Sequence, residues 1–276
     1  MIIDLVAVAR RSPFPSILRL ATRRGSFLQL PQLPRVAQFR GTLRHMTLEG
    51  STVVVVGGSS GIGLATAAMA AQRGAHVVIG GRSMDKLQAA VKEIGNAEPF
   101  AVDVSDRSSI KKLFGALERV DHVFVPGGAF VGGRILDLPH EEIESELRAR
   151  VMGAVHVAQY AAPLMTEGSL TFISGQLTSK ARVGTAATAS AGAAVEHLTK
   201  VLAQELAPIR VNCVSPGLVD TPILGEHRAR MREGAKKLPA GRIGSADDIS
   251  EAVFFLMVST YVTGEILHVD GGGRFT

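Results

Sequence analysis

A glycine-rich turn between an apolar strand and an Ala-rich helix is the part of this sequence best suited to chemistry. Four valines, at 53–56, lead into this turn, and residues 64–72 have the composition of a helix. A helix N-terminus offers free amides and partial positive charge to phosphate, and glycines let a pyrophosphate approach closely. Short glycine turns also close ordinary βα units, but the strand–turn–helix context favours a dinucleotide site. The predicted phosphate-binding residues are Gly57, Ser59, Ser60, Gly61, Ile62 and Gly63.

A second cofactor signal follows the next predicted strand. The sequence there is Gly80-Gly81-Arg82-Ser83, about 20 residues after the glycine turn. An acidic residue at this place binds the ribose 2′-hydroxyl of NAD, whereas an arginine beside a serine suits the 2′-phosphate of NADP. Arg82 and Ser83 therefore predict NADP(H) in preference to NAD(H). The alternative interpretation of Arg82 is a solvated arginine at the start of a helix.

Short apolar segments alternate with helical ones along the body of the chain. This alternation predicts an α/β fold with a doubly wound, parallel seven-stranded sheet (a Rossmann fold) and helices on both faces. Residues 46–276 contain neither a repeat nor a linker, so a single domain is expected. The predicted strands cover residues 52–56, 76–80, 99–103, 121–125, 169–173, 209–214 and 265–269. The predicted helices cover residues 64–72, 83–94, 105–117, 139–160 (one long or two joined), 186–206 and 246–257.

The first 45 residues differ from the rest in composition. They hold eight arginines and one acid, Asp4, so they carry +7 and leave −2 of the overall +5 for the remainder. Four prolines prevent a long helix. The composition resembles that of an organelle transit peptide, and a basic arm for a membrane surface or nucleic acid is a second interpretation. We expect instead a disordered basic extension or a translation start at Met46.

Composition and charge exclude several classes of protein. Cys213 is the single cysteine and the eight histidines are scattered, so neither an intrachain disulfide nor a metal site is expected. No apolar run approaches the ~20 residues of a membrane helix, and the near-neutral body gives no reason to expect nucleic-acid binding. We expect a cytoplasmic protein with a small-molecule ligand and no membrane or nucleic-acid partner. Organelle targeting by residues 1–45 is the alternative.

Several motifs in order give a family resemblance over about residues 47–273. They are Gly57-x-x-x-Gly61-x-Gly63, Asp103-Val104, Ser215-Pro216-Gly217-Leu218-Val219-Asp220-Thr221-Pro222, and Tyr261-Val262-Thr263-Gly264 with Val269-Asp270-Gly271-Gly272. This set resembles the short-chain dehydrogenase/reductase family. The resemblance implies a homodimer or tetramer and a substrate cover formed by residues 223–238. It also implies that Asp103 and Val104 contact the adenine, that Pro216, Gly217 and Thr221 hold the nicotinamide carboxamide, and that Gly127 lies at the cofactor.

The catalytic positions of that family are occupied differently here. By the resemblance, redox chemistry uses a Tyr-x-x-x-Lys pair on the helix after the fifth strand, a serine before it and an asparagine on the preceding helix. A gapless register assigns the tyrosine position to Thr188, the lysine to Gly192, the serine to Gly175 with Ser174 one residue early, and the asparagine to Arg150. Residues 188–194 are all small, which either leaves room for a larger ligand or lets another helix pack closely, for instance in a subunit interface.

These replacements predict unusual chemistry. A threonine hydroxyl titrates far too high to exchange protons near neutral pH, and Gly192 supplies no cation. Neither Tyr160 nor Tyr261 has a lysine four residues later. We therefore expect an atypical NADP(H)-dependent oxidoreductase for activated alkenes, quinone-like compounds or iminium ions, with no assigned catalytic residue. The alternative is a dinucleotide-binding protein without redox turnover, such as a sensor, a partner subunit or a non-redox enzyme.

Three polar residues near these positions have open interpretations. Ser174 either hydrogen-bonds a substrate carbonyl, as a weak catalytic candidate, or merely finishes a strand. Lys180 is either a cation for the site or a solvated loop residue. Arg150 either stabilises an anion or pairs with Glu144 or Glu146 on its own helix.

Overall fold

The computed structural model describes residues 47–128 and 130–276, together with the backbone of two short strands nearer the N-terminus. By its internal contacts the chain divides into two units, residues 1–44 and 45–276. In the first unit Leu20–Ala21 pairs antiparallel with Phe27–Leu28. The prediction of a basic extension or a start at Met46 otherwise falls outside the described residues.

Seven parallel strands form the sheet of the second unit. Their order across the sheet is β3-β2-β1-β4-β5-β6-β7, so the winding reverses between β1 and β4. The predicted doubly wound Rossmann fold is confirmed. The strands are β1 (Thr52–Val56), β2 (His76–Gly81), β3 (Ala97–Ala101), β4 (His122–Val125), β5 (Ser169–Ile173), β6 (Arg210–Pro216) and β7 (Ile266–Val269).

Eight α-helices connect these strands in the part of the chain that is described. A π-helical turn, Arg148–Met152, joins α4 to α5, so the predicted helix 139–160 is one interrupted helix. Within the described residues no helix has the length and apolarity needed to cross a bilayer. The helices are α1 (Gly61–Gln72), α2 (Met84–Ile94), α3 (Arg107–Gly115), α4 (His140–Leu147), α5 (Gly153–Ala161), α6 (Ala186–Glu205), α7 (Arg228–Ala235) and α8 (Ala246–Val258).

Two hydrophobic layers bury the two faces of the sheet. Helices α3, α5 and α6 cover one face, and α1, α2 and α8 cover the other. Val54 and Val56 point into the first layer, while Val53 and Val55 point into the second. Burial on both faces explains why β1 is an unbroken run of valines instead of an alternating strand.

Side-chain hydrogen bonds move two element boundaries away from their predicted places. The third strand covers Ala97–Ala101 instead of 99–103, because Asp103 forms a turn in which its Oδ1 accepts hydrogen bonds from the Ser105 amide (2.9 Å) and hydroxyl (2.7 Å). Helix α3 begins two residues after Ser105, because Asp106 caps it by accepting from the Ser108 amide at 2.9 Å. Short polar side chains that bond nearby amides end one element and start the next.

A buried histidine links the two central strands of the sheet. His122 begins β4, and its Nδ1 lies 2.9 Å from the Ser169 hydroxyl on β5. The pKa of His122 is lowered from 6.5 to about 4, mainly by burial and also by the positive charge of Arg210, while Asp121 opposes the shift. The unfolded chain therefore takes up a proton near pH 6.5 that the folded chain takes up only near pH 4.

We predict that this histidine makes the protein less stable in mild acid. Between pH 7 and pH 5 it lowers the free energy of unfolding by about 2 kcal/mol, since only the unfolded state is protonated in that range. Urea unfolding at both pH values, for the wild type and for His122→Asn, measures the effect. The variant should lose this part of the pH dependence, and an identical pH dependence in both proteins would contradict the assignment.

Candidate functional site

Loops that follow the parallel strands meet at the carboxyl edge of the sheet. A Cβ built on Gly57, in the loop after β1, would lie 2.7 Å from Pro126 Cγ in the loop after β4. A Cβ built on Gly61 would lie 3.4 Å from Thr221 Cγ2, in the loop after β6. Three loops that are far apart in sequence are thus in contact, at the place where doubly wound folds bind ligands.

The glycine turn after β1 lets helix α1 begin directly against it. Gly57 has φ +119° and Gly61 has φ +55°, both in the region that favours glycine. A Cβ on Gly63 would lie 2.0 Å from the carbonyl oxygen of Gly57, so no side chain fits there. Ser60 precedes the helix in an extended conformation, makes no side-chain cap, and no acid occupies the first turn. The first amides of any helix have no intrahelical partner, and here neither Ser60 nor an acidic side chain satisfies them. They therefore favour an anion.

The predicted 2′-phosphate residues lie at the end of β2, beside the same turn. A Cβ on Gly81 would lie 3.5 Å from Ser59 Oγ, which links this end of β2 to the glycine turn. Arg82 is exposed, and its guanidinium forms no ion pair within the described part of the chain. Ser83 caps α2 by accepting a hydrogen bond from the Lys86 amide at 3.4 Å. Ser83 thus has a structural role, while Arg82 keeps its charge at the edge.

The loop after β3 carries the two residues that the resemblance assigns to the adenine. Asp103 is half-buried; one carboxylate oxygen accepts from Ser105, and its amide donates to the Ser109 hydroxyl at 3.0 Å. Val104 packs on α5, since a Cβ on Gly153 would lie 2.7 Å from Val104 Cγ2. Both residues therefore have contacts that fix this loop at the carboxyl edge.

The loop after β6 carries the residues that the resemblance assigns to the nicotinamide. The Gly217 amide donates to the Val269 carbonyl at 3.0 Å, and a Cβ on Gly217 would lie 2.7 Å from Asp270 Cα. Thr221 is buried and precedes a 3₁₀ turn, Pro222–His227. The backbone of this loop is thus packed closely against the chain after β7.

An ion-pair cluster ties the segment 223–238 to the loop after β6. Arg228 and Arg232 on α7 both hydrogen-bond to the carboxylate of Asp220. These hydrogen bonds, led by that of Arg228, lower the pKa of the Asp220 carboxyl. Solvent-accessible ion pairs therefore attach this segment, which the resemblance implies as the substrate cover, to the loop after β6.

Thr188, which the sequence register assigns to the tyrosine position, uses its hydroxyl to hold a loop. The hydroxyl accepts a hydrogen bond from the Val131 amide and donates one to the Val131 carbonyl, each at 3.0 Å. Nearby, the Gly133 amide donates to the Gly184 carbonyl at 2.9 Å. These bonds join the loop after β4 to the loop and helix after β5.

The space directly beside Gly192, which the sequence register assigns to the lysine position, is occupied by other residues of the chain. A Cβ on Gly192 would lie 3.0 Å from Thr178 Cγ2 and 3.7 Å from Ser174 Cβ. The hydroxyls of Ser174 and Thr178 both donate to Glu196 Oε1, at 2.6 Å and 2.7 Å. Gly192 therefore packs closely against the 3₁₀ turn Gln176–Thr178, and the two interpretations of residues 188–194, a larger ligand or an adjacent helix, both stay predictions.

Glu196 is a site residue to which no motif points. Its carboxylate accepts hydrogen bonds from two hydroxyls that follow β5, and so holds these residues beside Gly192. The only sequence signal is its spacing of four residues from Gly192, which places both residues on neighbouring parts of one helix face.

A buried ion pair supports the loop after β4 from below. Arg150 Nε lies 2.7 Å from Glu146 Oε1, and the two side chains are only 7% and 1% exposed. A Cβ on Gly127 would lie 3.0 Å from Arg150 Nη1, and one on Gly128 would lie 3.3 Å from Glu146 Oε2. Of the two acids considered as partners, Glu146 forms the pair, and Glu144 does not.

The remaining candidates, Lys180 and the two tyrosines, either make structural hydrogen bonds or lie exposed on the surface. Lys180 is a half-buried residue of the loop after β5, and its ammonium donates to the Gly273 carbonyl at 3.2 Å. Tyr160 accepts a hydrogen bond from Arg107 Nε at 2.9 Å, and Tyr261 is 99% exposed. Among the described residues no group of three or more His, Cys, Asp or Glu side chains is arranged to hold a metal.

Comparison with known proteins identifies the family. The sequence model of the family described as "Enoyl-(Acyl carrier protein) reductase" matches residues 56–274. The 3-oxoacyl-[acyl-carrier-protein] reductase FabG of Thermotoga maritima is 32% identical over 243 residues, covering 82% of this chain and 99% of the relative. This chain belongs to the short-chain dehydrogenase/reductase family and is an oxidoreductase of that type.

Two solved structures show how closely the fold is shared. A small-chain dehydrogenase in complex with NADPH is 32% identical, with a TM-score of 0.73, covering 82% of this chain and 99% of that one. A gluconate 5-dehydrogenase from Burkholderia cenocepacia, in complex with NADP and tartrate, is 26% identical, with a TM-score of 0.80, covering 85% of this chain and 99% of that one.

We predict that the buried ion pair tolerates joint replacement better than loss of one partner. Arg150→Met should lower the free energy of unfolding by about 3–5 kcal/mol, because it leaves the Glu146 carboxyl buried without its ion-pair partner. The double variant Glu146→Leu/Arg150→Met should recover most of that loss. Urea unfolding of the three proteins measures both effects. A double variant less stable than Arg150→Met would contradict this account of the pair.

Proposed function

We propose that the chain is an NADP(H)-dependent oxidoreductase in which hydride transfer proceeds without the Tyr/Lys acid–base pair of its family. The observation that carries the proposal is the hydroxyl of Thr188, which bonds Val131 as both donor and acceptor. The glycine turn and the N-terminus of α1 nonetheless have the form that a pyrophosphate needs. When bound, the nicotinamide would supply or accept the hydride.

The residues at the carboxyl edge fit a dinucleotide. The backbone at Gly63 leaves no room for a side chain, so the turn and the first amides of α1 form a shallow cradle. In this proposal the phosphates bind at Gly57, Ser59, Ser60, Gly61, Ile62 and Gly63. The adenosine half binds at Arg82, Ser83, Asp103 and Val104, and the nicotinamide half at Gly127, Pro216, Gly217 and Thr221.

Arg82 supports NADP(H) over NAD(H). Its guanidinium is exposed at the end of β2, no ion pair neutralises it within the described residues, and no acid replaces it as a partner for a 2′-hydroxyl. The related structures with NADPH and with NADP are consistent with this preference.

We predict that Arg82 sets the cofactor preference. Arg82→Ala should raise the Kd for NADPH by roughly 10- to 100-fold, since it removes charge-assisted hydrogen bonds to the 2′-phosphate, and should leave the Kd for NADH within about twofold. Calorimetric titration of both cofactors measures this. Lys92→Ala, which removes an exposed charge in the last turn of the following helix α2, is the matched control. An equal loss for both cofactors would contradict the role of Arg82.

The substrate class follows from the missing proton donor. Reduction of a simple ketone creates an alkoxide that needs a proton as the hydride arrives, and a threonine hydroxyl cannot supply one near neutral pH. Activated alkenes and quinone-like compounds give delocalised anions that water can protonate, and iminium ions need no proton at all. We therefore propose substrates of these classes for this chain.

A panel of acceptors tests this proposal. With NADPH oxidation followed at 340 nm, an enone, a quinone or a cyclic iminium ion should react at least about 10²-fold faster than a simple ketone. Ketone reduction at an equal rate would contradict the proposal. Tight binding of NADPH with no oxidation by any acceptor would instead support the alternative of a binding protein without redox turnover.

We predict that a Tyr/Lys pair introduced at residues 188 and 192 restores ketone reduction only if Thr178 is also made smaller. Because a Cβ on Gly192 would crowd Thr178 at 3.0 Å, the variant is Thr178→Ala/Thr188→Tyr/Gly192→Lys. It should gain about 10²-fold in ketone reduction. The matched control carries Thr188→Phe in place of Thr188→Tyr, and so lacks only the phenol hydroxyl. An equal rate in the two triple variants would show that the new tyrosine donates no proton.

We also propose an oligomeric state, a cellular location and a type of partner for the enzyme. The family resemblance supports a homodimer or tetramer, and the absence of a candidate membrane span in the described residues is consistent with a cytoplasmic enzyme. Its partner is then a small organic substrate.

A further inference from the structure

A cleft lies beside the candidate site, between the loop after β4 and the loop that leads into α6. We call it the side cleft. Its volume is about 400 Å³, within the range of roughly 300–1,000 Å³ typical of small-molecule sites. Residues 134–136 form one wall, and residues 181–186 with Ala189 form the other.

The lining of the side cleft is mostly apolar and open to water. Ile135 is 56% exposed, Leu136 88% and Val183 91%. Ala186 and Ala189 add small apolar surface from the first turns of α6. Apolar side chains grouped at such exposure leave surface that a ligand can bury favourably.

Two arginines stand at this apolar surface. Arg134 and Arg182 come from opposite walls, both are exposed, and neither guanidinium has an ion pair or hydrogen bond among the described residues. Asp137 is the acid nearest to Arg134 in sequence; its amide bonds the Arg134 carbonyl, but its carboxylate forms no ion pair. The two charges are therefore available to an anion brought in by a ligand.

The side cleft adjoins the position where the family carries its tyrosine. Ala189 in its wall directly follows Thr188, and the Gly133–Gly184 hydrogen bond joins the two loops that form the walls. The bonds between Thr188 and Val131 hold the same loop in place. The hydrogen bonds that hold Thr188 to the loop after β4 therefore hold the walls of the side cleft as well.

We propose that the side cleft binds an amphipathic organic carboxylate. Its apolar body lies against Ile135, Leu136 and Val183, and its carboxylate accepts hydrogen bonds from Arg134 and Arg182. This inference rests on the proposed function, because it names the substrate class of the same oxidoreductase: an electrophile that carries an apolar chain and an acid group.

The experiment uses the full chain and three measured probes. Fluorescence of 8-anilinonaphthalene-1-sulfonate reports occupancy, and decanoate and its uncharged analogue decanamide compete for the site. Decanoate should displace the dye at a concentration at least tenfold lower than decanamide. The double variant Arg134→Gln/Arg182→Gln should weaken decanoate binding at least tenfold and leave decanamide unchanged. Lys111→Gln, which removes an exposed charge on α3, should change neither.

Several outcomes would overturn the assignment. Equal competition by decanoate and decanamide, or an equal loss in Lys111→Gln, would remove the role of the arginines. Dye binding that falls as protein concentration rises would show that a second copy of the chain covers the cleft. Calorimetric titration of NADPH on the same samples separates the two proposals. Normal NADPH binding without decanoate binding overturns only the cleft, whereas decanoate binding without NADPH binding overturns only the proposed cofactor.

Discussion

The contact between Gly63 and the Gly57 carbonyl is the constraint on which the rest of the site depends. A single added carbon at Gly63 would lie 2.0 Å from that oxygen, so helix α1 can begin against the turn only because this residue has no side chain. The free amides of the helix then face the carboxyl edge of a parallel sheet, at the reversal between β1 and β4. The other candidate residues lie in the loops that follow the strands at this edge, or on the helices after those loops.

Around this edge, polar side chains mainly hold the backbone in place. Thr188 binds both polar groups of Val131, Glu196 gathers the hydroxyls of Ser174 and Thr178, and Glu146 pairs with Arg150 beneath the loop after β4. Hydrogen bonds that satisfy buried polar groups make such loops rigid. In the proposed enzyme these side chains hold backbone and do not exchange protons with a substrate, which is why substrates that need no protein proton donor are proposed for it.

The sequence predicts the regular parts of the molecule well, because they depend on local patterns. All seven strands follow from apolar runs, and α2 begins where Ser83 caps it. Two boundary errors lie where Asp103 and Asp106 bond nearby amides, since such bonds compete with strand and helix over only one or two residues. Helix α7 (Arg228–Ala235) is not predicted, because its mostly charged and small residues give no apolar period. Glu196 and the Thr188–Val131 pair could not be predicted, because they join residues that only the folded chain brings together.

The central claim is that a phosphorylated nicotinamide cofactor binds at the glycine turn while no tyrosine reaches its reactive ring. A crystal structure of the protein with NADP⁺ tests this claim most directly. In that structure the pyrophosphate should lie against the first amides of α1 and the 2′-phosphate at Arg82, and Thr188 should still be bonded to Val131. A pyrophosphate bound elsewhere, or a tyrosine hydroxyl within hydrogen-bonding distance of the nicotinamide face, would contradict it.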